Sequence, residues 1–129
     1  MHLDHFALWT TDLERLKAFY ATYFGATAGE KYVNPRRGFA SYFLSFADGA
    51  RLEIMAQHDV ARRPAAQGAP QVGYAHLAIA LGSVERVDAL TETLRAAGFV
   101  IAGAPRWTGD GYYESVVLDP DGNPIELTV

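Results

Sequence analysis

The sequence predicts an α+β protein built from two βαβββ modules in tandem. Two observations predict it. Along the chain, apolar residues switch from strand spacing to helix spacing and back, and they do so twice. Chemically distinctive residues also recur at a nearly constant interval: His5 and His76, Glu14 and Glu85, and Arg15 and Arg86 are each 71 residues apart. Gly25 and Gly98, Asp48 and Asp121, and Glu53 and Glu126 are each 73 apart, so the second copy carries a short insertion ahead of Gly98.

Residues 3–9 alternate as a strand, with His5, Ala7 and Trp9 on one side and Phe6 and Leu8 on the other. Thr11 followed by Glu14 reads as a capping box, and Leu13, Leu16, Tyr20 and Tyr23 line one helical face that stops at Gly25. Strands are expected at 30–33, 40–46 and 51–56. Asp48-Gly49 signals a type I′ hairpin turn between the last two. The second copy repeats this order: a strand at 74–80, a helix at 83–97 with Val84, Val87, Leu90 and Leu94 inward, and Gly98 as its stop. Strands at 100–102, 113–118 and 125–129 follow, with Asp121-Gly122 at the corresponding turn. The expected organisation is a single domain, with module 1 at 1–57, a linker rich in Ala, Pro, Gln and Gly at 58–73, and module 2 at 74–129.

Composition narrows the function classes. Half of the 129 residues are hydrophobic and a fifth are charged, which suits a folded core. The net charge is −4, and the basic pairs Arg36-Arg37 and Arg62-Arg63 do not extend into a patch, so nucleic acid is not an expected partner. No apolar run approaches the roughly 20 residues that span a bilayer. The start MHLDHF has neither the basic nor the apolar region of a secretory leader, and a cytoplasmic protein is expected. With no cysteine, any metal must be held by nitrogen and oxygen.

The duplicated His and Glu residues carry the chemistry. Glu53 lies between Leu52 and Ile54, and Glu126 between Ile125 and Leu127, so each carboxylate points away from the apolar layer under the helices. His5 and His76 reach the same side if Phe6, Leu8, Leu77 and Ile79 face the helices. A carboxylate on an inner sheet surface is costly unless it is paired or bound to a cation. Two carboxylates and two imidazoles suit one divalent metal, Zn, Ni, Co, Mn or Fe, with positions open for water or substrate. Any one of the four alone reads as an ordinary structural residue; recurrence in both copies favours the shared-metal reading. His2 and His58 are not duplicated and read as surface residues.

The segments LDHFALWTTDLERLKAFYATYFGA, RLEIM, GYAHLAIAL and LDPDGNPIELTV resemble the vicinal oxygen chelate superfamily of glyoxalases, bleomycin-resistance proteins and dioxygenases, over essentially the whole chain. The resemblance implies curved mixed sheets that surround a metal site, with helices on the outer faces. It implies His5, Glu53, His76 and Glu126 as the ligand set, and Glu53 at the second position matches the glyoxalase I-like subgroup. In that subgroup an Arg four residues after the first His holds the glutathione carboxylate. Trp9 stands there in this chain, and an indole cannot replace a guanidinium fork.

The function expected is therefore a metal-dependent lyase or isomerase of the glyoxalase type, acting on a small oxygenated substrate. By resemblance, Glu126 is the base that moves a proton next to a metal-bound carbonyl, with Glu53 second. Trp9, Trp107, Tyr112 and Tyr113 are candidate substrate-binding residues, each equally readable as packing or hairpin residues. The alternatives are a binding protein of the bleomycin-resistance type for an aromatic or antibiotic-like molecule, and a dioxygenase. A homodimer is implied by resemblance.

Overall fold

The computed structural model describes residues 1–61 and 72–129. Arg62-Arg63 and most of the expected linker lie outside the described residues. The chain divides into two compact units, each showing among the described residues one α-helix and one mixed sheet, with a short 3-10 turn at Pro35–Arg37 in the first.

In the first unit the order is β1 (His5–Trp9), α1 (Leu13–Phe24), β2 (Thr27–Ala28), β3 (Tyr32–Asn34), β4 (Phe39–Ser45) and β5 (Arg51–Gln57). β1 pairs in parallel with β5, and β4 joins β5, β2 and β3 antiparallel. Helix α1 starts one residue later than the Thr11 capping box implies. Asp12 is the N-cap, its Oδ1 accepting the Arg15 N–H at 3.0 Å. That register moves Glu14 off the reciprocal capping position. Its carboxylate instead meets Lys17, Lys31 and Tyr42. Leu13, Leu16, Phe19 and Tyr20 are buried toward Tyr42, Leu44, Leu52 and Ile54, so Phe19 takes the inward place expected of the half-buried Tyr23.

The second unit runs β6 (Leu77–Ala80), α2 (Val84–Ala96), β7 (Ile101–Trp107), β8 (Tyr113–Leu118) and β9 (Pro124–Thr128). Its sheet order is β6-β9-β8-β7, with β6 and β9 parallel. Ser83 caps α2, and Gly98 closes it at φ 88°, with Gly98 N–H donating to Arg95 O and Phe99 N–H to Leu94 O, both at 3.0 Å. These two bonds form a Schellman closure, for which a left-handed glycine is suited. Val87, Thr91 and Leu94 are buried with Ser115, Val117, Ile125 and Leu127. Thr91 replaces the half-buried Leu90 at the core because its hydroxyl finds Ser115 Oγ at 2.7 Å.

Two expectations change. No described non-glycine residue has positive φ, so neither Asp-Gly pair forms a type I′ turn. Each lies in a longer loop, with positive φ only at Gly49 and Gly122. β7 also extends well past 102. Pro105 and Gly103 hide it in the sequence, but β7 is an edge strand with register shifts around Gly103, where both residues are tolerated.

Candidate functional site

Strand pairing positions a His and a Glu together in each unit. In the first, β1 and β5 run in register with His5 opposite Arg51 and Ala7 opposite Glu53. Alternation therefore puts His5, Ala7, Trp9, Glu53 and Met55 on one face, while Leu52 and Ile54 are sealed beneath the helix at 1% and 0% exposure. His5 Nε2 lies 3.9 Å from Glu53 Oε2. In the second unit Ala78 stands opposite Glu126, His76 directly precedes β6, and His76 Nε2 lies 3.4 Å from Glu126 Oε2. Both copies place a small Ala beside the Glu, which leaves the His room to lean toward it.

The carboxylates are more enclosed than the imidazoles. Burial raises the Glu126 pKa above its usual value, the neighbouring Glu114 carboxylate raises it further, and His76 acts in the opposite direction. Glu114 is in turn held by Arg106, whose Nη2 donates to Glu114 Oε1 at 2.9 Å. Around His5 the environment differs. Asp4 Oδ1 is 2.7 Å from His5 Nδ1 and also accepts from Arg51 Nη2 at 2.6 Å.

The sequence reading missed Asp4 as a participant and did not place Arg106 or Glu114 beside Glu126. Glu114 was findable: antiparallel pairing puts it opposite Thr128 and Val116 opposite Glu126, so Glu114 and Glu126 share a face. The candidate substrate-binding residues do not stay together. Trp9 is 48% exposed on the face of His5 and Glu53, with Phe39 between it and Tyr32 at ring distances of 6.1 and 6.0 Å. Trp107 pairs with Tyr113 at 5.2 Å, and the Tyr113 hydroxyl donates to Asp88 on α2 at 2.7 Å. Tyr113 thus lies on the helix side of its sheet, away from Glu126. Tyr112 is exposed in the hairpin loop between β7 and β8.

The donor set fits a divalent cation in part. Donors about 2.1 Å from a cation and 90–110° apart are roughly 3.0–3.4 Å from one another. The His76–Glu126 pair meets that spacing, and the His5–Glu53 pair stands slightly wider. Among the described residues no three His, Asp or Glu side chains form a metal-type cluster, so each unit by itself offers two donors.

The fold of the described residues, two mixed sheets each with one α-helix, is that of glyoxalase-type proteins. Glyoxalase I from Zea mays superimposes with a TM-score of 0.79 at 24% identity, over 98% of this chain and 44% of that one. The trypanothione-dependent glyoxalase I of Leishmania major gives 0.77 at 24% identity, over 99% and 86%. A glyoxalase family protein from Enterococcus faecalis gives 0.79 at 25% identity, over 98% and 96%. The chain spans less than half the length of the maize enzyme. A family model matches residues 2–127, and the chain belongs to the Glyoxalase/Bleomycin resistance protein/Dioxygenase superfamily. No curated protein matches the sequence.

Proposed function

We propose that this protein is a divalent-metal-dependent lyase or isomerase that moves a proton next to a carbonyl in a small oxygenated substrate. The observation that carries this reading is the repeated pair: an imidazole Nε2 beside a half-enclosed carboxylate, at the same place in both copies. His5, Glu53, His76 and Glu126 are the proposed ligands, the two pairs being drawn from one chain or from two copies in a homodimer. When bound, the metal supplies Lewis acidity at a substrate oxygen.

Glu126 takes the proton. In the metal-free chain its burial and its neighbour Glu114 raise its pKa above the usual carboxylate value, the direction that suits a base released from the metal. Glu53 is the second candidate. Trp9 offers an apolar wall rather than a carboxylate clamp, so the reading does not extend to glutathione as cosubstrate.

Elemental analysis of protein loaded with Zn, Ni, Co, Mn or Fe and then desalted tests the reading. About one equivalent retained per proposed four-ligand set is expected. Retention of none, with the fold intact, would overturn it.

A second reading has its own observation. The exposed Trp9–Phe39–Tyr32 array adjoins a cleft of about 310 Å³ lined in part by Val33, Phe39, Gln57 and His58. That suits a protein that binds an aromatic molecule without turning it over. Tight binding of flat aromatic ligands by metal-free protein distinguishes this from the enzyme. Oxygen uptake with a catechol by the iron-loaded form would mark a dioxygenase.

A further inference from the structure

The two His residues are duplicated in sequence but not in their support. His5 sits in a built clamp. Asp4 Oδ1 lies 2.7 Å from its Nδ1, and the same oxygen takes Arg51 Nη2 at 2.6 Å. Arg51 is fixed twice more: its N–H donates to Asp4 O at 3.0 Å, and its guanidinium lies 4.4 Å from the Phe43 ring centroid. That same phenyl ring meets the His5 imidazole edge-on at 5.3 Å.

Every member of this clamp is replaced in the second copy. At the repeat spacing, Ala75 stands for Asp4, Pro124 for Arg51 and Val116 for Phe43. None of the three can accept a proton from an imidazole side chain, anchor a carboxylate or present a ring face.

The chemistry of the clamp dictates a tautomer. An ionised carboxylate only accepts hydrogen bonds, so the neutral His5 ring must carry its proton on Nδ1 and leave the Nε2 lone pair free toward Glu53. A carboxylate behind a ligating imidazole both fixes its orientation and raises the basicity of the ligating nitrogen. His76 has no such carboxylate preceding it; the carboxylate beside its ring is that of Glu126, 3.4 Å from Nε2.

Building on the proposed metal-binding function, we propose that Asp4 is a positioning residue that presets His5 as the anchoring donor, and that His76 is the exchangeable one. In that reading His5 and Glu53 would hold a bound cation first, and His76 would be the donor that yields to substrate. The duplicated unit has in this way been specialised: one copy grips and the other yields.

Long-range nitrogen–proton spectra of the whole protein, taken without metal and above the His titration range, read the tautomer directly. His5 should be protonated on Nδ1 in wild type and should shift to the Nε2-protonated form in Asp4→Ala, while His76 is unchanged. Calorimetric zinc titration supplies the second reading. Asp4→Ala should weaken binding by about 10–100-fold, the range for loss of a carboxylate behind a ligand. His5→Ala should weaken it more than His76→Ala does. Equal zinc affinity in wild type and Asp4→Ala, or an Nε2-protonated His5 in wild type, overturns the positioning role alone. Absence of zinc binding in wild type overturns the metal reading, and the anchoring role with it.

Discussion

Glu126 Oε2 stands 3.4 Å from His76 Nε2, while the carboxylate of Glu114 crowds it from the neighbouring strand. A carboxylate placed this way keeps its proton affinity above that of an exposed one. Glu126→Gln preserves shape and burial but removes the proposed base. The expected loss in turnover is about 10²- to 10⁴-fold, the usual contribution of a positioned general base. Metal-loaded protein incubated in heavy water with a panel of 2-oxo and 2-hydroxy carbonyl compounds, followed by NMR, measures carbon-bound deuterium in both forms. Equal exchange in both would remove Glu126 from the proton transfer.

Thr91 and Ser115 form a buried polar bridge between α2 and β8. Thr91 Oγ1 donates to Val87 O at 2.6 Å, so it accepts from Ser115 Oγ at 2.7 Å. Both residues are 0% exposed. Thr91→Val leaves the Ser115 hydroxyl without that partner in an apolar layer, at a cost of about 1–3 kcal/mol. Thr91→Val with Ser115→Ala should recover part of the loss. Urea melts of both singles and the double give the coupling, and purely additive losses would contradict the bridge.

Glu14 makes stability depend on acid. Lys17, then Lys31 and Tyr42, hold its pKa down at about 2 from an ordinary 4.5. Because the folded value lies below the unfolded one, the stabilisation is complete above about pH 4.5 and drains away as the pH falls toward 2. Over that window wild type should lose stability faster than Glu14→Gln. Parallel denaturation curves across it would show that the cluster contributes nothing.

Asp119 organises the turn that delivers β9. Buried at 4% exposure, its carboxyl accepts from Asp121 N–H, Asn123 N–H and Asn123 Nδ2, each at 2.8 Å. Burial nonetheless raises its pKa above the usual carboxylate value. Asp119→Ala orphans those donors, and hydrogen bonds to a charged group are worth about 1.5–3 kcal/mol. A drop of that order in unfolding free energy is expected. Weaker zinc binding should accompany it, since Glu126 rides on the strand the turn sets. Unaltered stability would reduce Asp119 to a bystander.

Much of this was legible in the sequence because duplication and alternation are both counting rules. The faces of Glu53 and Glu126 followed from the apolar residues on either side of each, and the structure keeps Leu52, Ile54, Ile125 and Leu127 buried. What escaped depends on partners far along the chain. Thr11 and Asp12 are equally good caps locally, and the choice falls to Asp12 as Glu14 is drawn to Lys31 and Tyr42. Tyr113 reads in the sequence as a substrate-binding candidate or a hairpin residue, and Asp88 on α2 supplies the acceptor that places it on the helix side. Trp107 followed it through strand register. Asp4 was passed over because its value lies in two contacts, one adjacent in sequence and one with Arg51, and only the structure shows both meeting on one oxygen.

The parallel pairing of β1 with β5, and of β6 with β9, joins the first strand of each unit to its last. A His made early in synthesis therefore has no Glu beside it until the whole unit has left the ribosome. In each half, acquisition of the donor pair coincides with the final, longest-range pairing, so a truncated or nicked chain loses both donors' geometry at one stroke. A growing chain would assemble its His–Glu pairs in two discrete steps, one per completed unit, rather than gradually.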